Sequence, residues 1–222
     1  IQSPLNTASG DYSIAMGHQT EASGERSTAM GYQTTASGQH STAMGYQTTA
    51  SNYRSTAMGN DSTASGTSST AMGVATTASG WASTAMGWST TASGTYSTAM
   101  GELTRASGSG STAMGYQTEA SGTVSTSIGT YTIASGNYST AIGVFTTAED
   151  YMTVALGTHN KSGETPNPNE FSFQNTAFVI GNGGFANDGS YIGTPESYSN
   201  AFEVLFDGTT TIAGDLNVNS DA

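Results

Sequence analysis

Ser27-Thr28-Ala29-Met30-Gly31-Tyr32-Gln33-Thr34-Thr35-Ala36-Ser37-Gly38 decides the fold, because from Asn6 to Asn160 the chain is this stretch repeated every fourteen residues. The register does not drift. Met16, Met30, Met44, Met58, Met72, Met86, Met100 and Met114 fall at one spacing, and Ile128, Ile142 and Leu156 continue the column. A glycine follows each of them, from Gly17 to Gly157. Each repeat holds a half-repeat of seven, since Ala36-Ser37-Gly38 echoes Ala29-Met30-Gly31. A short fixed period marks a solenoid, in which one repeat cannot bury a core until its neighbours stack on it.

Read as a strand, Ser27-Thr28-Ala29-Met30-Gly31 places Ser27 and Ala29 on one face and Thr28 and Met30 on the other. In the second half-repeat Thr34 and Ala36 share a face opposite Thr35 and Ser37. A coil of two strands and two turns this short encloses almost no volume, so only small residues fill it. The Ala columns, Ala15, Ala29, Ala43 and Ala22, Ala36, Ala50 with their successors, therefore point inward, with Ser127 the one exception in the first. Gly31 and Gly38 close the strands, where the chain turns with positive φ or leaves no room for a Cβ. Asn52, in place of one glycine, is expected to be left-handed. The fold expected is all-β, a parallel β-roll solenoid of 14-residue coils over residues 1–160, then a small β-rich stalk segment over 161–222.

Met30 and Thr28 then point out of the roll on one side. A lone chain would expose a continuous apolar stripe, which soluble monomers avoid. Ile14, Met16, Met30, Met44, Met58, Met72, Met86, Met100, Met114, Ile128, Ile142, Val154 and Leu156 are therefore expected to line an interface with further copies of the same chain, and cyclic symmetry would close it.

Composition narrows the function classes. The sequence has 29 Gly, no Cys, and 16 acidic against 4 basic residues, for a net charge of -12. The acidic residues are spread along the chain, which disfavours nucleic acid and anionic membrane as partners. Without Cys there is neither a disulfide framework nor a thiolate metal site. No run approaches the roughly 20 apolar residues of a membrane helix, and no basic-then-apolar signal opens the sequence. His18, His40 and His159 stand in no triad pattern and read as surface turn residues. Glu21, Glu25, Glu102 and Glu119 fall at turn or outer-face positions, and the calcium nonapeptide of other rolls is missing. No catalytic, metal or cofactor site is expected.

Binding is the better expectation. The two residues after each glycine vary while the rest is fixed, and turns line the edges of a roll. Tyr32, Tyr46, Trp81, Trp88, Tyr96 and Tyr116 fall there, as candidates to stack on a surface glycan or contact a protein receptor. A rival lies in the outer column Thr35, Thr49, Thr63, Thr77 and Thr91, since flat Thr arrays suit ice binding; Glu21, Arg105, Glu119 and Ile133 interrupt it. A passive spacer within a longer fibre is the other alternative.

Tyr12-Ser13-Ile14-Ala15-Met16-Gly17 and Thr153-Val154-Ala155-Leu156-Gly157 resemble the Ser-Val-Ala-Ile-Gly motif of the head repeats of YadA-type trimeric autotransporter adhesins. The resemblance covers roughly residues 6–160, with Thr where the family prefers Val and Met where it prefers Ile. It implies a homotrimer of left-handed parallel β-rolls, the Ser-Thr-Ala-Met strands facing the axis, in an extracellular attachment fibre. The tail adds a second resemblance. Thr176–Gly183 and Ser199–Ile212 alternate as strands, with Asp207-Gly208 as a hairpin turn and Thr165-Pro166-Asn167-Pro168-Asn169 as a linker before them. This part is similar to the stalk that precedes the endosialidase-type intramolecular chaperone of phage tail fibres. That resemblance implies a processing junction between Ser220 and Asp221 and makes a virion or injection-system fibre the counterpart of a bacterial surface adhesin.

Overall fold

A computed structural model describes residues 5–162, 166–184 and 198–213. Each repeat forms one coil, with a long strand such as Thr28–Tyr32 and a short one such as Thr35–Ala36. The short strands stack into an 11-stranded sheet and the long ones into a 14-stranded sheet that three C-terminal strands complete. Pairing between coils is parallel and without slip. Met58, Met72 and Met86 stand in register on one sheet, and Thr63, Thr77 and Thr91 on the other. No helix occurs among the described residues. The expected all-β parallel solenoid is what the chain forms.

Alternation sets the core. Ala29 and Ala36 and their equivalents from Ala22 to Ala155 are 0 % exposed, so the two sheets are separated by little more than methyl groups. Ser27 and Thr34, on the same inward faces, are equally buried. Some of these hydroxyls bond to their equivalents in the next coil, as Thr76 Oγ1 does to Ser62 Oγ at 2.8 Å. Ser127, which breaks the Ala column, lies 2.7 Å from Thr132 Oγ1 and so keeps its hydroxyl satisfied. Ser83 donates to the carbonyl of Gly80, three residues before it, at 2.8 Å. The hydroxyls of Ser27, Ser41 and Ser69 make no hydrogen bond, although one χ1 rotation offers each the equivalent carbonyl three residues before it.

The glycines stand as expected, Gly31 at φ 128° and Gly38 where a Cβ would lie 1.9 Å from Asn52 O, and the turns differ from expectation at Asn52. The left-handed residue is the second after each glycine, not the glycine of the Ala-Ser-Gly half-repeat. Gln33 has φ 51°, His40 has φ 59°, and 21 non-glycine residues share this conformation. Their amides hold the turns together, since Gln47 N donates to Tyr32 O at 2.8 Å and Arg54 N to Gln39 O at 2.9 Å, each one coil back. Asn52 is accordingly not left-handed; that demand falls on Arg54, at φ 55°. Its amide turns to Ser55 Oγ (3.2 Å), its Nδ2 donates to Ser65 O (3.0 Å), and its Oδ1 accepts from Tyr53 N (2.8 Å).

Left-handed geometry is worst for a β-branched side chain. Val124 has φ 55° and is half-exposed, while the equivalent residue one coil earlier is Gly110 at φ 68°. Val124→Gly is expected to stabilise the protein by about 1 kcal/mol, as strain relieved outweighs entropy lost. A higher urea midpoint with an unchanged slope checks this.

Past Asn160 the pattern decays, yet the long sheet continues. Thr176–Asn182 adds in parallel to Val154–Thr158, pairing Val154 with Phe178, Ala155 with Val179 and Leu156 with Ile180. Val179, 2 % exposed, fills the Ala column with a larger side chain because the short sheet ends at Thr147–Ala148 and nothing narrows the interior there. Asn200–Leu205 and Thr210–Ile212 follow in antiparallel, with Gly208 at φ 88° in the expected Asp207-Gly208 turn.

The stretch read as a linker packs instead along the last coils. Tyr151 N donates to Asn167 O (2.9 Å) and Asn137 N to Pro168 O (2.8 Å). Asp150, which replaces a glycine, explains the arrangement: its two carboxylate oxygens accept from Asn167 N at 2.7 Å and Thr176 N at 3.0 Å. Ser220 and Asp221 lie outside the described residues.

His159 corrects a second expectation. His18 and His40 sit at the edges as surface turn residues, but His159 is 1 % exposed, its ring stacked on Phe145 at 4.6 Å and edge-on to Tyr198 at 5.3 Å. Burial holds its imidazole below the usual range. Between the ordinary histidine value, about 6.5, and that lowered one, the unfolded chain takes up a proton that the folded one does not. Stability of the last coil is therefore present above about pH 6.5 and falls as pH drops through this window. Hydrogen exchange of the Val154–Thr158 and Thr176–Asn182 amides is expected to accelerate more between pH 7.5 and 5.5 than exchange in the central coils, once intrinsic rates are corrected, and His159→Gln is expected to remove the difference.

Candidate functional site

The roll presents two faces and two edges. On the long-sheet face, the residues at the Thr28 and Met30 positions point outward in every coil, and each Met is flanked above and below by its equivalents. Met30 to Met114 are half-buried for that reason, while Met16, near one end of the column, is 58 % exposed. Ile14 and Ile142 are exposed, and Ile128, Val154 and Leu156 are half-buried. All thirteen candidates thus stand on one continuous face.

That face is longer than the repeat pattern. Phe178 and Ile180 extend the Val154 and Leu156 columns, and Phe202 and Ile212 carry the apolar row on by pairing with Ile180 and with each other. The signal was present in the sequence, since Phe178-Val179-Ile180-Gly181 matches Val154-Ala155-Leu156-Gly157 in alternation. The spacing that marks the other coils is lost across the inserted stretch, which hid it.

The aromatic candidates do not form one site. Tyr32, Tyr46, Trp88 and Tyr116 end long strands and lie along one edge, whereas Trp81 and Tyr96 follow short strands and lie along the other. On the first edge His18, Tyr32 and Tyr46 stack coil on coil, with ring centroids 5.2 and 5.0 Å apart. On the second, Trp81 meets Tyr96 edge-on at 4.5 Å. Trp81, Trp88 and Tyr96 are each about half exposed, so both edges offer ring surface to solvent. Sequence reasoning passed over a further aromatic run, Tyr131 stacked on Phe145 at 4.5 Å and 11°, with His159 beyond it. These residues fall at the second turn position, where most coils carry polar or small side chains.

Among the described residues no three His, Asp or Glu side chains come together as a metal site, and no helix is long and apolar enough to cross a membrane. The outer face of the short sheet carries Thr35, Thr49, Thr63, Thr77 and Thr91 in register, bounded by Glu21 and Arg105.

Comparison with known proteins agrees with this geometry. The family model of the YadA head domain repeat (2 copies) matches residues 8–34, 36–62, 64–80, 82–101, 106–132 and 134–160, well over half of the chain. No curated protein matches. The chain belongs to the YadA head repeat family, a parallel β-solenoid of attachment fibres.

Proposed function

We propose that this chain is the head and the beginning of the stalk of an extracellular homotrimeric attachment fibre, with the repeats of residues 1–160 as head and 161–222 as stalk. Three rolls pack their methionine faces around a common axis, and the turn edges and the short-sheet face look outward to a glycan or protein receptor on a cell surface. The observation that carries this is the unbroken apolar column from Met16 to Leu156, which a single chain leaves half-buried in most coils and exposed at Met16 and Ile142, with polar Thr and Ser on the reverse of the roll. A column of this length needs a partner, and three-fold closure covers it without propagating.

The apolar row through Phe178, Phe202 and Ile212 supports an axis that continues beyond the head, as a fibre of a bacterial surface or of a virion tail requires. Sedimentation of the dilute protein is expected to give three times the 22.5 kDa chain mass. A stable monomer overturns the proposal. Attachment to receptor-bearing cells is expected to fall when Trp81 and Trp88 are both replaced by alanine. Unchanged attachment would assign recognition elsewhere and leave the head a spacer.

A further inference from the structure

Eight of the nine methionines in the sequence stand in one column, from Met16 to Met114, each in register with the next. Packing alone does not require methionine there. Ile128, Ile142 and Leu156 fill the same position in the last coils, and a branched side chain gives up less rotamer freedom on burial. What methionine adds is a thioether, a soft and neutral donor.

We infer that the column binds soft monovalent metal ions of the copper(I) and silver(I) class, an inference that rests on the three-fold packing of the methionine face. Three chains around one axis bring three sulfurs to each layer, which makes a trigonal thioether site. The unbranched side chain lets those sulfurs close on an ion or relax without one. This donor set is apart from the carboxylates and imidazoles, which form no metal cluster among the described residues. Two residues before each of these Met stands Ile14 or an uncharged Thr, so a hard divalent ion finds no anionic ligand in the column and keeps its water. The net charge of -12 per chain draws cations toward the fibre, and Met16, 58 % exposed near one end of the column, gives them a way in. Ions in adjacent layers, about 4.8 Å apart, repel twice as strongly as ions two layers apart. Alternate layers therefore fill first, and the expected load is about four ions per trimer.

Titration of the full chain with silver nitrate in chloride-free buffer tests this, read by methionine methyl NMR and by equilibrium dialysis. The column methyls are expected to shift. Met152 is an internal control, since it lies half-exposed in a turn off the column, and its methyl is expected to stay in place until more silver is added. Met→Ile replacement at all eight column positions suits the fold, because Ile128 and Ile142 already occupy that column. The eightfold variant is expected to keep the sedimenting mass and to bind about four fewer silver ions per trimer. The assignment is overturned if the native trimer takes up no silver, or if uptake is undiminished in the eightfold variant. It is overturned equally if Met152 shifts at the same silver concentration as the column, which would show an adventitious thioether affinity only. A trimer without silver leaves the fibre reading standing, whereas a monomer removes both.

Discussion

Met72→Glu, Met86→Glu and Met100→Glu combined are expected to dissociate the protein into folded monomers. These three residues stand in register on adjacent coils of the outward long-sheet face. In a three-fold assembly the triple variant would bring nine carboxylates to the axis, in three layers about 4.8 Å apart. Burying an ionised carboxylate without a partner costs several kcal/mol, and like charges at this distance add to it. Protonation would relieve the repulsion, but at pH 7 it costs about 3.7 kcal/mol for each carboxyl of ordinary pKa, and nine would have to take up a proton. Within each chain the substitutions touch no Ala column, so the circular dichroism of the roll is expected to be retained while the sedimenting mass falls to one third. An unchanged mass would show that the methionine face is not the subunit contact. Loss of both mass and β signal would show that the coils cannot stand without it.

Why the sequence disclosed so much follows from the fold itself. Every coil repeats one solution to one packing problem, so Ala29, Met30 and Gly31 are written eleven times with few changes, and alternation assigns each column to a side. Inward Ala, outward Met and the coil length were legible from that alone. Three features were not. Left-handed turn residues are chemically diverse, from Gln33 to Phe145, because coil-to-coil amide bonds impose the conformation whatever the side chain, so residue type carries no signal. The strand Thr176–Asn182 was hidden because the stretch inserted after Asn160 breaks the fourteen-residue spacing, and Val179 replaces the inward Ala where the short sheet has ended. The stacked rings of Tyr131 and Phe145 stand at the second turn position, which most coils fill with polar or small side chains, so no repeated aromatic column marked them.

Gly87→Ala is expected to destroy the cooperativity of the roll. An added Cβ at Gly87 would stand 2.0 Å from the carbonyl oxygen of Gly101, 2.9 Å from its carbon and 3.1 Å from its nitrogen. All three are backbone atoms of the next coil, so no side-chain rotation relieves the contact, and φ of +120° is open to glycine almost alone. Relief requires separating two coils that share a ladder of hydrogen bonds, and a cost above about 4 kcal/mol follows from the combination of backbone strain and overpacking. Gly66→Ala provides the contrast. Its Cβ would also stand 2.0 Å from a carbonyl oxygen, that of Gly80, but its φ lies outside the left-handed region. The same column already accepts Asn52 and Asp150, where the amide or the carboxylate finds new partners. Gly66→Ala is therefore expected to cost less than Gly87→Ala. Because each coil contacts only its neighbours, a break at Gly87 divides the stack into an N-terminal and a C-terminal block. Urea unfolding followed by hydrogen exchange is expected to show two separate transitions in Gly87→Ala and one in Gly66→Ala. A single transition at an unchanged midpoint in Gly87→Ala would mean that the coils are not held at the separation that makes this glycine necessary.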